Sequence, residues 1–260
     1  MRGLALPVMT LTWREVTRFR RQRSRLVGAF IQPLLFWILL GGGLRASFQP
    51  PGTPPGTSYV EYVYPGIIVM VLLFTAIFST ISVVEDRQQG FLQGVLVAPV
   101  GRSSIVLGQA LGGTVLAVAQ GVLFLALAPV AGISLNVPDA LAVIAVMFLV
   151  SFGLTCLGLV IAWRLDSTQG FHAIMNLILL PMWVLSGAFF PATGVPTWIG
   201  WTMRVNPLTY GVAAIRRCLY LGSPVMAGTV PLLGASLAIT AIFCLLAFVA
   251  ATDAARRSTA

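Results

Sequence analysis

Seven acids, one histidine and three cysteines set the limits on what chemistry this chain can perform. Glu15, Glu61, Glu85, Asp86, Asp139, Asp166 and Asp253 are scattered, and each falls beside an apolar run rather than at the middle of one. A membrane-embedded hydrolase or transferase needs such groups clustered as metal ligands or bases. An ion-coupled carrier places them inside the membrane, where they bind and release the ion. Neither pattern occurs here. His172, the only histidine, sits near one end of an apolar run, where a buried, hydrogen-bonded ring is expected rather than a proton carrier. Cys156, Cys218 and Cys244 lie far apart in or near apolar runs, without metal spacing or a disulfide framework. No glycine-rich GxxxxGK[ST] phosphate loop occurs. The expectation is a chain with no catalytic residues, metal or cofactor of its own, which draws any energy for uphill work from another polypeptide.

One polar stretch carries a pattern. Val84 to Arg102 separates two uncharged runs, Tyr62 to Val84 and Ser103 to Pro138. Within it Phe91, Leu92, Val95 and Leu96 recur at three- and four-residue spacing, which puts an apolar stripe on one side of a short helix. Pro99 ends that helix, because its ring cannot follow in a continuing turn. Two readings fit: a solvated loop that connects two spans, or a docking element that passes force from a soluble partner into the bilayer.

The elements that must position this stretch follow from composition. The 260 residues are 58% hydrophobic and 9% charged, with mean hydropathy +0.94, against about 25% charged in an ordinary soluble domain. This is an all-α integral membrane protein, a single transmembrane unit over 1–260, with little soluble mass and no room for a nucleotide-binding domain. All 16 basic residues are Arg, giving a net charge of +9. They cluster beside spans, so the excess reflects the positive-inside bias and not nucleic acid.

Residues 1–25 are too rich in Arg for a cleaved signal peptide. Met9, Trp13 and Val16 share one helical face, while Arg14, Arg18, Arg21 and Arg25 share the other. This reads as a helix lying flat on anionic headgroups or as a plain topogenic basic tail, in either case cytoplasmic.

Six spans are expected over 26–251. They are Leu26 to Leu44, closed by Gly41-Gly42-Gly43; Tyr62 to Val84; Ser104 to about Val130; Leu141 to Ala162; Phe171 to Ala188, kinked at Pro181; and Thr229 to Ala251. An irregular outer loop covers Arg45 to Glu61, an outer turn Gly132 to Asp139, and a tight inner turn Trp163 to Ser167. Between the last two spans, Pro196 to Met203 and Asn206 to about Tyr220 read as two short helices, the second with Asn206 as N-cap and Pro207 at its first position. Together they form an outer re-entrant hairpin. A tail, 252–260, follows. Twelve arginines then lie inside and four outside, Arg45, Arg204, Arg216 and Arg217; the three in the hairpin are the main objection to this topology.

Glu85, Asp86 and Arg87, then Gly90-Phe91-Leu92, Leu96-Val97-Ala98-Pro99 and Arg102 resemble the first cytoplasmic loop of the type 2 ABC exporter permeases, a family that includes drug-resistance, nodulation-factor and polysaccharide or lipid exporters. Asn206-Pro207-Leu208-Thr209-Tyr210-Gly211, followed by Ile215-Arg216, resembles the outer motif before that family's last span. The resemblance covers nearly the whole chain. It implies a homodimer of permeases in the inner membrane, both termini cytoplasmic, driven by a separate ABC ATPase subunit that holds ATP and Mg. The ATPase-coupling residues would be Glu85, Arg87, Gly90, Phe91, Leu92, Val95, Leu96, Pro99 and Arg102. Glu85 and Arg102 would tie the loop to the basic N-terminal helix or to the ATPase. An outer gate would comprise Phe189, Phe190, Trp198, Trp201, Asn206, Pro207 and Tyr210. The expected cargo is an amphipathic drug or lipid. The alternatives are polysaccharide or glycolipid export in the same family, and a stand-alone secondary carrier.

Overall fold

The computed structural model describes residues 2–21, 23–44, 57–91, 100–222 and 227–257, and among them every regular element is helical. α1 covers Arg2–Arg21, α2 Arg23–Leu44, α3 Tyr59–Ser79 and α4 Ile81–Gln88. α5 covers Arg102–Leu125, α6 Val137–Ala162 and α7 Thr168–Trp183. α8 covers Thr197–Val205, α9 Pro207–Leu219 and α10 Leu233–Arg257.

Everything is arranged around α3. Ser58 caps it by accepting a hydrogen bond from the Val60 amide. Its sequence is apolar all round, so no face is marked for lipid, and the structure buries it on every side: nearly all side chains from Tyr62 to Ile77 are shut away from solvent. α2, α5, α6 and α9 pack around it. The helix direction continues across Thr80 into α4, so Tyr59–Gln88 makes one path of 30 residues, about 45 Å long at 1.5 Å per residue. The expected boundary at Val84 moves accordingly. Glu85, Asp86 and Arg87 are the last turn of this long helix rather than the start of a separate one. The turn ends at Gly90, whose φ of 75° is open to glycine without strain.

Among the described residues, five helical stretches are long and apolar enough to cross a membrane: Tyr59–Gln88, Arg102–Leu125, Val137–Ala162, Thr168–Ala188 and Leu233–Arg257. α2 holds a shorter apolar stretch, Phe30–Gly43. α2, α7 and α10 turn large apolar residues outward, Ile38 and Leu39, Leu177, and Leu245 and Leu246 among them.

Several ends differ from expectation. The outer loop is shorter, because Tyr59 to Glu61 already belong to α3. The last helix starts at Leu233 and runs on to Arg257, so most of the expected tail is helical; Asp253 and Arg257 pair across one turn at 2.8 Å. The kink after α7 falls later than Pro181: Val184–Ala188 forms a π turn in which Leu185 and Gly187 leave helical geometry. Pro181 itself sits inside regular helix. α8 and α9 have 9 and 13 residues, too few for a bilayer core of about 30 Å. They join at Asn206, whose Oδ1 accepts from the Leu208 amide at 3.0 Å, with Pro207 at the first helical position as the sequence indicates.

Candidate coupling site

The last turn of α4 is held from two sides. On one side stands α1. Arg14 donates through both terminal nitrogens to the two carboxylate oxygens of Asp86, each at 2.8 Å. Arg18 donates to Asp86 Oδ1 at 2.7 Å and to Glu85 Oε2 at 2.6 Å. The Asp86 side chain is 2% exposed, and those of Arg18 and Glu85 about a fifth. Arg14 also reaches Glu15 Oε1 at 3.3 Å, so two cations are shared among three carboxylates, and the bidentate fork fixes the angle between α1 and α4.

On the other side lies the turn between α6 and α7. Arg87 donates to the Trp163 carbonyl at 2.7 Å, to Asp166 Oδ1 at 2.8 Å and to the Leu165 carbonyl at 3.3 Å. Gln88 adds a bond to the Asp166 carbonyl at 2.8 Å. That turn is preset by Ser167, whose hydroxyl accepts from the Gly170 amide and caps α7.

α1 is seated by close approach. It packs along α5 as extensively as α6 packs along α10. A Cβ on Gly108 would come within 2.8 Å of Leu11 Cβ, and one on Gly112 within 2.7 Å of Glu15 Cβ. Thr12 donates across this contact to the Gly108 carbonyl at 3.1 Å. Two glycines four apart on one helix face let the helices meet backbone to backbone. The docking buries Glu15, which is 5% exposed. Burial raises the pKa of its carboxyl, opposed by Ser82 and Arg14. The hydrogen bond from Arg14 to Asp86 raises the Arg14 pKa in turn, against the effect of burial.

This arrangement corrects the reading of α1. Met9 and Trp13 are exposed, as a membrane-facing stripe would be. Arg14 and Arg18, however, face carboxylates of the same chain rather than headgroups. Helical periodicity cannot tell these partners apart. The side chain of Arg25 lies outside the described residues.

Of the coupling residues inferred from sequence, Glu85, Arg87 and Phe91 come together at this turn. The Arg14 guanidinium carbon lies 4.1 Å from the Phe91 ring centroid, and the ring is 45% exposed. Gly90 ends the helix and Arg102 opens α5. Leu92, Val95, Leu96 and Pro99, and with them the amphipathic helix of that stretch, lie outside the described residues. Asp86 stood in the motif without a role of its own, and Asp166, Glu15 and the Gly108–Gly112 pair were not singled out as coupling residues. Only the glycine spacing carried a local signal.

The expected gate residues sit at the opposite end of α3 and do not form one cluster. Phe189 packs edge-on against Trp183, centroids 4.5 Å apart, and its carbonyl accepts from the Tyr59 hydroxyl at 3.4 Å. Asn206 donates to the Met182 carbonyl at 2.6 Å, and Tyr210 to the Arg204 carbonyl at 2.8 Å. Phe190 is half-buried, whereas Trp198 and Trp201 point outward, 66% and 61% exposed. The hairpin arginines find partners within the protein. Arg217 donates to the Val230 and Pro231 carbonyls, both at 2.7 Å, and Arg216 reaches back to α3.

Residues 7–220 match the family model of the ABC-2 type transporter. The transport permease ycf38 of Cyanophora paradoxa is 30% identical over 213 residues, covering 80% of this chain and 72% of that protein. Nodulation protein J of Rhizobium leguminosarum bv. trifolii is 28% identical over 232 residues, 85% and 86% of the two chains. The multidrug ABC transporter permease YbhR of Escherichia coli K12 is 29% identical over 161 residues, 60% of this chain and 43% of that one. With helices long and apolar enough to cross a membrane and most of its length matched, the chain belongs to the ABC-2 type transporter family, as a membrane-embedded permease.

Proposed function

We propose that this chain is the membrane half of an ATP-driven exporter, worked by a separate ABC ATPase subunit that docks on the Glu85–Arg102 stretch. The double clamp on the last turn of α4 carries the proposal. A push there moves α3, the hub of the bundle, and through Asp86 and Arg87 it also moves α1 and the α6–α7 turn. A loop that only connected two spans would not need two arginines on one side and a third on the other. ATP and Mg belong to the partner, and this chain supplies the lever.

In this reading α2 completes a set of six spans, the α1 end of the bundle is cytoplasmic, and the chain lies in the inner membrane with both termini inside. Two copies form the permease, joined along outward apolar faces such as those of α2 and α7. The α8–α9 hairpin dips into the outer face. The cargo is an amphipathic drug or lipid. Exposed apolar helix faces and an open apolar groove lined by Pro181, Leu185, Trp201 and Val205 favour it, as does the multidrug designation of one relative. Polysaccharide or glycolipid export is the competing cargo.

The test is reconstitution of the purified chain in vesicles, with and without its ATPase. ATP-dependent outward movement of a fluorescent amphiphile, absent without the ATPase, is expected. Flux driven by an ion gradient with this chain alone would replace the proposal with a secondary carrier. Mass spectrometry of molecules that copurify with the complex separates lipid or drug from glycan cargo.

A further inference from the structure

Beneath the α8–α9 hairpin, at the end of α3 away from Glu85, lies a confined cavity of about 40 Å³, room for only a few water-sized bodies. Tyr62 of α3, Gly187 of the π turn, and Thr209 and Arg216 of α9 contribute to its lining. Arg216 is 4% exposed and Tyr62 5%. One terminal nitrogen of Arg216 donates to the Tyr62 carbonyl at 3.1 Å and to the Gly187 carbonyl at 3.4 Å, and the guanidinium carbon lies 4.2 Å from the Tyr62 ring centroid.

Those contacts leave the site incomplete. Among the described residues no carboxylate stands within ion-pair distance of Arg216. Glu61, one residue before Tyr62, takes its hydrogen bond from the Tyr220 hydroxyl at 3.0 Å. Three polar atoms of the lining residues, Arg216 Nε, Tyr62 Oη and Thr209 Oγ1, are buried with no hydrogen-bond partner. Each of the three can donate. Buried donors left unmade are rare in folded proteins, and a buried charge without a counter-charge is rarer still.

Arg216, Tyr62 and Thr209 all line this one small cavity, and each carries a buried donor without a partner, a set that selects for negative charge. We propose that the cavity binds a small monovalent anion of chloride size, which neutralises Arg216 and ties α9 and the π turn to α3. Water alone would satisfy the hydroxyls but bring no charge to Arg216, which reaches the Glu61 carboxylate only by way of the Tyr220 hydroxyl. The confined volume favours a free ion over the headgroup of a lipid. The site rests on these donors alone and is independent of what the protein transports.

The experiment uses the full chain purified in detergent in sodium gluconate, with chloride replacing gluconate at constant ionic strength. Thermal stability should rise with chloride along a saturable curve, as for any ligand bound only by the folded state. Tyr62→Phe with Thr209→Val keeps the shape and removes two donors, and should weaken the midpoint about tenfold or more, as expected for lost bonds to a charged ligand. Arg216→Gln should abolish the response. If that variant does not fold, the double variant decides. Crystals grown in bromide should show one anomalous peak between Arg216 and Tyr62. Equal stability in both salts, an unchanged chloride midpoint in the double variant, or a cavity without bromide would each overturn the proposal.

Discussion

Arg14 grips both oxygens of Asp86 at 2.8 Å across 72 residues of sequence, and the carboxylate it holds is 2% exposed. The N-terminal helix and the end of the central helix therefore share one buried charge pair. Neither helix can shift alone without breaking a charge-assisted bond. A mechanical role for this end of the molecule depends on that relationship more than on any apolar contact.

Asp86→Asn keeps the volume and removes the charge. It leaves Arg14 and Arg18 facing an amide, and because one partner of a largely buried pair is lost, the folded protein should weaken by about 3 kcal/mol. Both arginines keep partial access to water, which holds the effect to the lower end for such sites. A double-mutant cycle with Arg14→Ala, read by thermal unfolding in detergent, should give a coupling of about 1–3 kcal/mol. Additive effects would show that the pair does not hold α1 to α4.

The seat of α1 on α5 is a steric matter and can be tested separately. Gly112→Ala places a Cβ 2.7 Å from Glu15 Cβ. Both neighbours are helix walls that give little, so a cost of about 1–3 kcal/mol is expected. The same substitution at Gly42, whose added Cβ meets nothing within 4 Å, should be neutral or slightly favourable. A cysteine placed at Thr12, half-buried against Gly108, should label faster in the Gly112→Ala background. Unchanged labelling would mean that α1 stays docked.

Much of the bundle is legible in the sequence, because membrane thickness fixes how long an apolar run must be and polar turns mark where it stops. The start of α9 at Asn206-Pro207 was readable for a local reason, since capping chemistry is confined to a few adjacent residues. Helix ends were harder. α10 runs past Ala251 to Arg257 because Asp253 and Arg257 extend it as an ion-paired helix, which hydropathy registers only as an end. The site was legible in part. Phe91 was legible from apolar spacing and Glu85 from the motif it resembles, with a tie to the N-terminal helix among the expectations that the Arg18–Glu85 bond meets, but Asp86 as the shared partner of Arg14 and Arg18 was not. An arginine face satisfied by headgroups and one satisfied by carboxylates 70 residues on have the same periodicity. Arg216 looked like an objection to the topology, and in the structure it is packed against the Tyr62 ring.

Glu15 gives the site a dependence on pH. Its buried carboxyl holds a proton to higher pH than the ordinary 4.5. Between that value and the raised one, the folded state binds more protons than the unfolded chain, so its contribution to stability falls as pH rises through the window. Glu15→Gln mimics the protonated form and removes the fall. The difference in melting temperature between Glu15→Gln and the native protein should be near zero below pH 4.5 and should grow in favour of glutamine above it. A difference that is flat with pH would mean the carboxyl is not buried in the folded protein.

At the other end of α3, Asn206 makes two bonds that can be separated. Its Oδ1 caps α9 and its Nδ2 donates to the Met182 carbonyl at 2.6 Å. Asn206→Ser keeps a capping oxygen and loses the donor without adding charge, which should cost about 1 kcal/mol. Asn206→Ala loses both, and with the cap contributing about 1 kcal/mol the total should be roughly twice as large. Thermal unfolding of the two variants gives the comparison. Equal losses would show that the cap contributes nothing, and a first variant as stable as the native protein would show that the bond to Met182 contributes nothing.

Phe91 tests the lever directly. Its ring is 45% exposed and lies under Arg14; among the described residues this is a cation–π contact, and at an exposed site it contributes only about 0.5–1 kcal/mol. Phe91→Ala should therefore change membrane insertion and melting temperature very little. If the ring also anchors the ATPase, its removal empties a pocket at the centre of that interface, where a single aromatic commonly carries 2 kcal/mol or more, about thirtyfold in affinity. ATP-driven export should fall by that order, while the ATPase turns over without being coupled to it. Alanine is the better substitution here, since an aspartate would pair with Arg14 and alter α1 as well. Export and coupled ATP hydrolysis at native levels in Phe91→Ala, with the complex still assembling at native affinity, would remove Phe91 from the docking surface and leave the clamp on Asp86 and Arg87 without its lever.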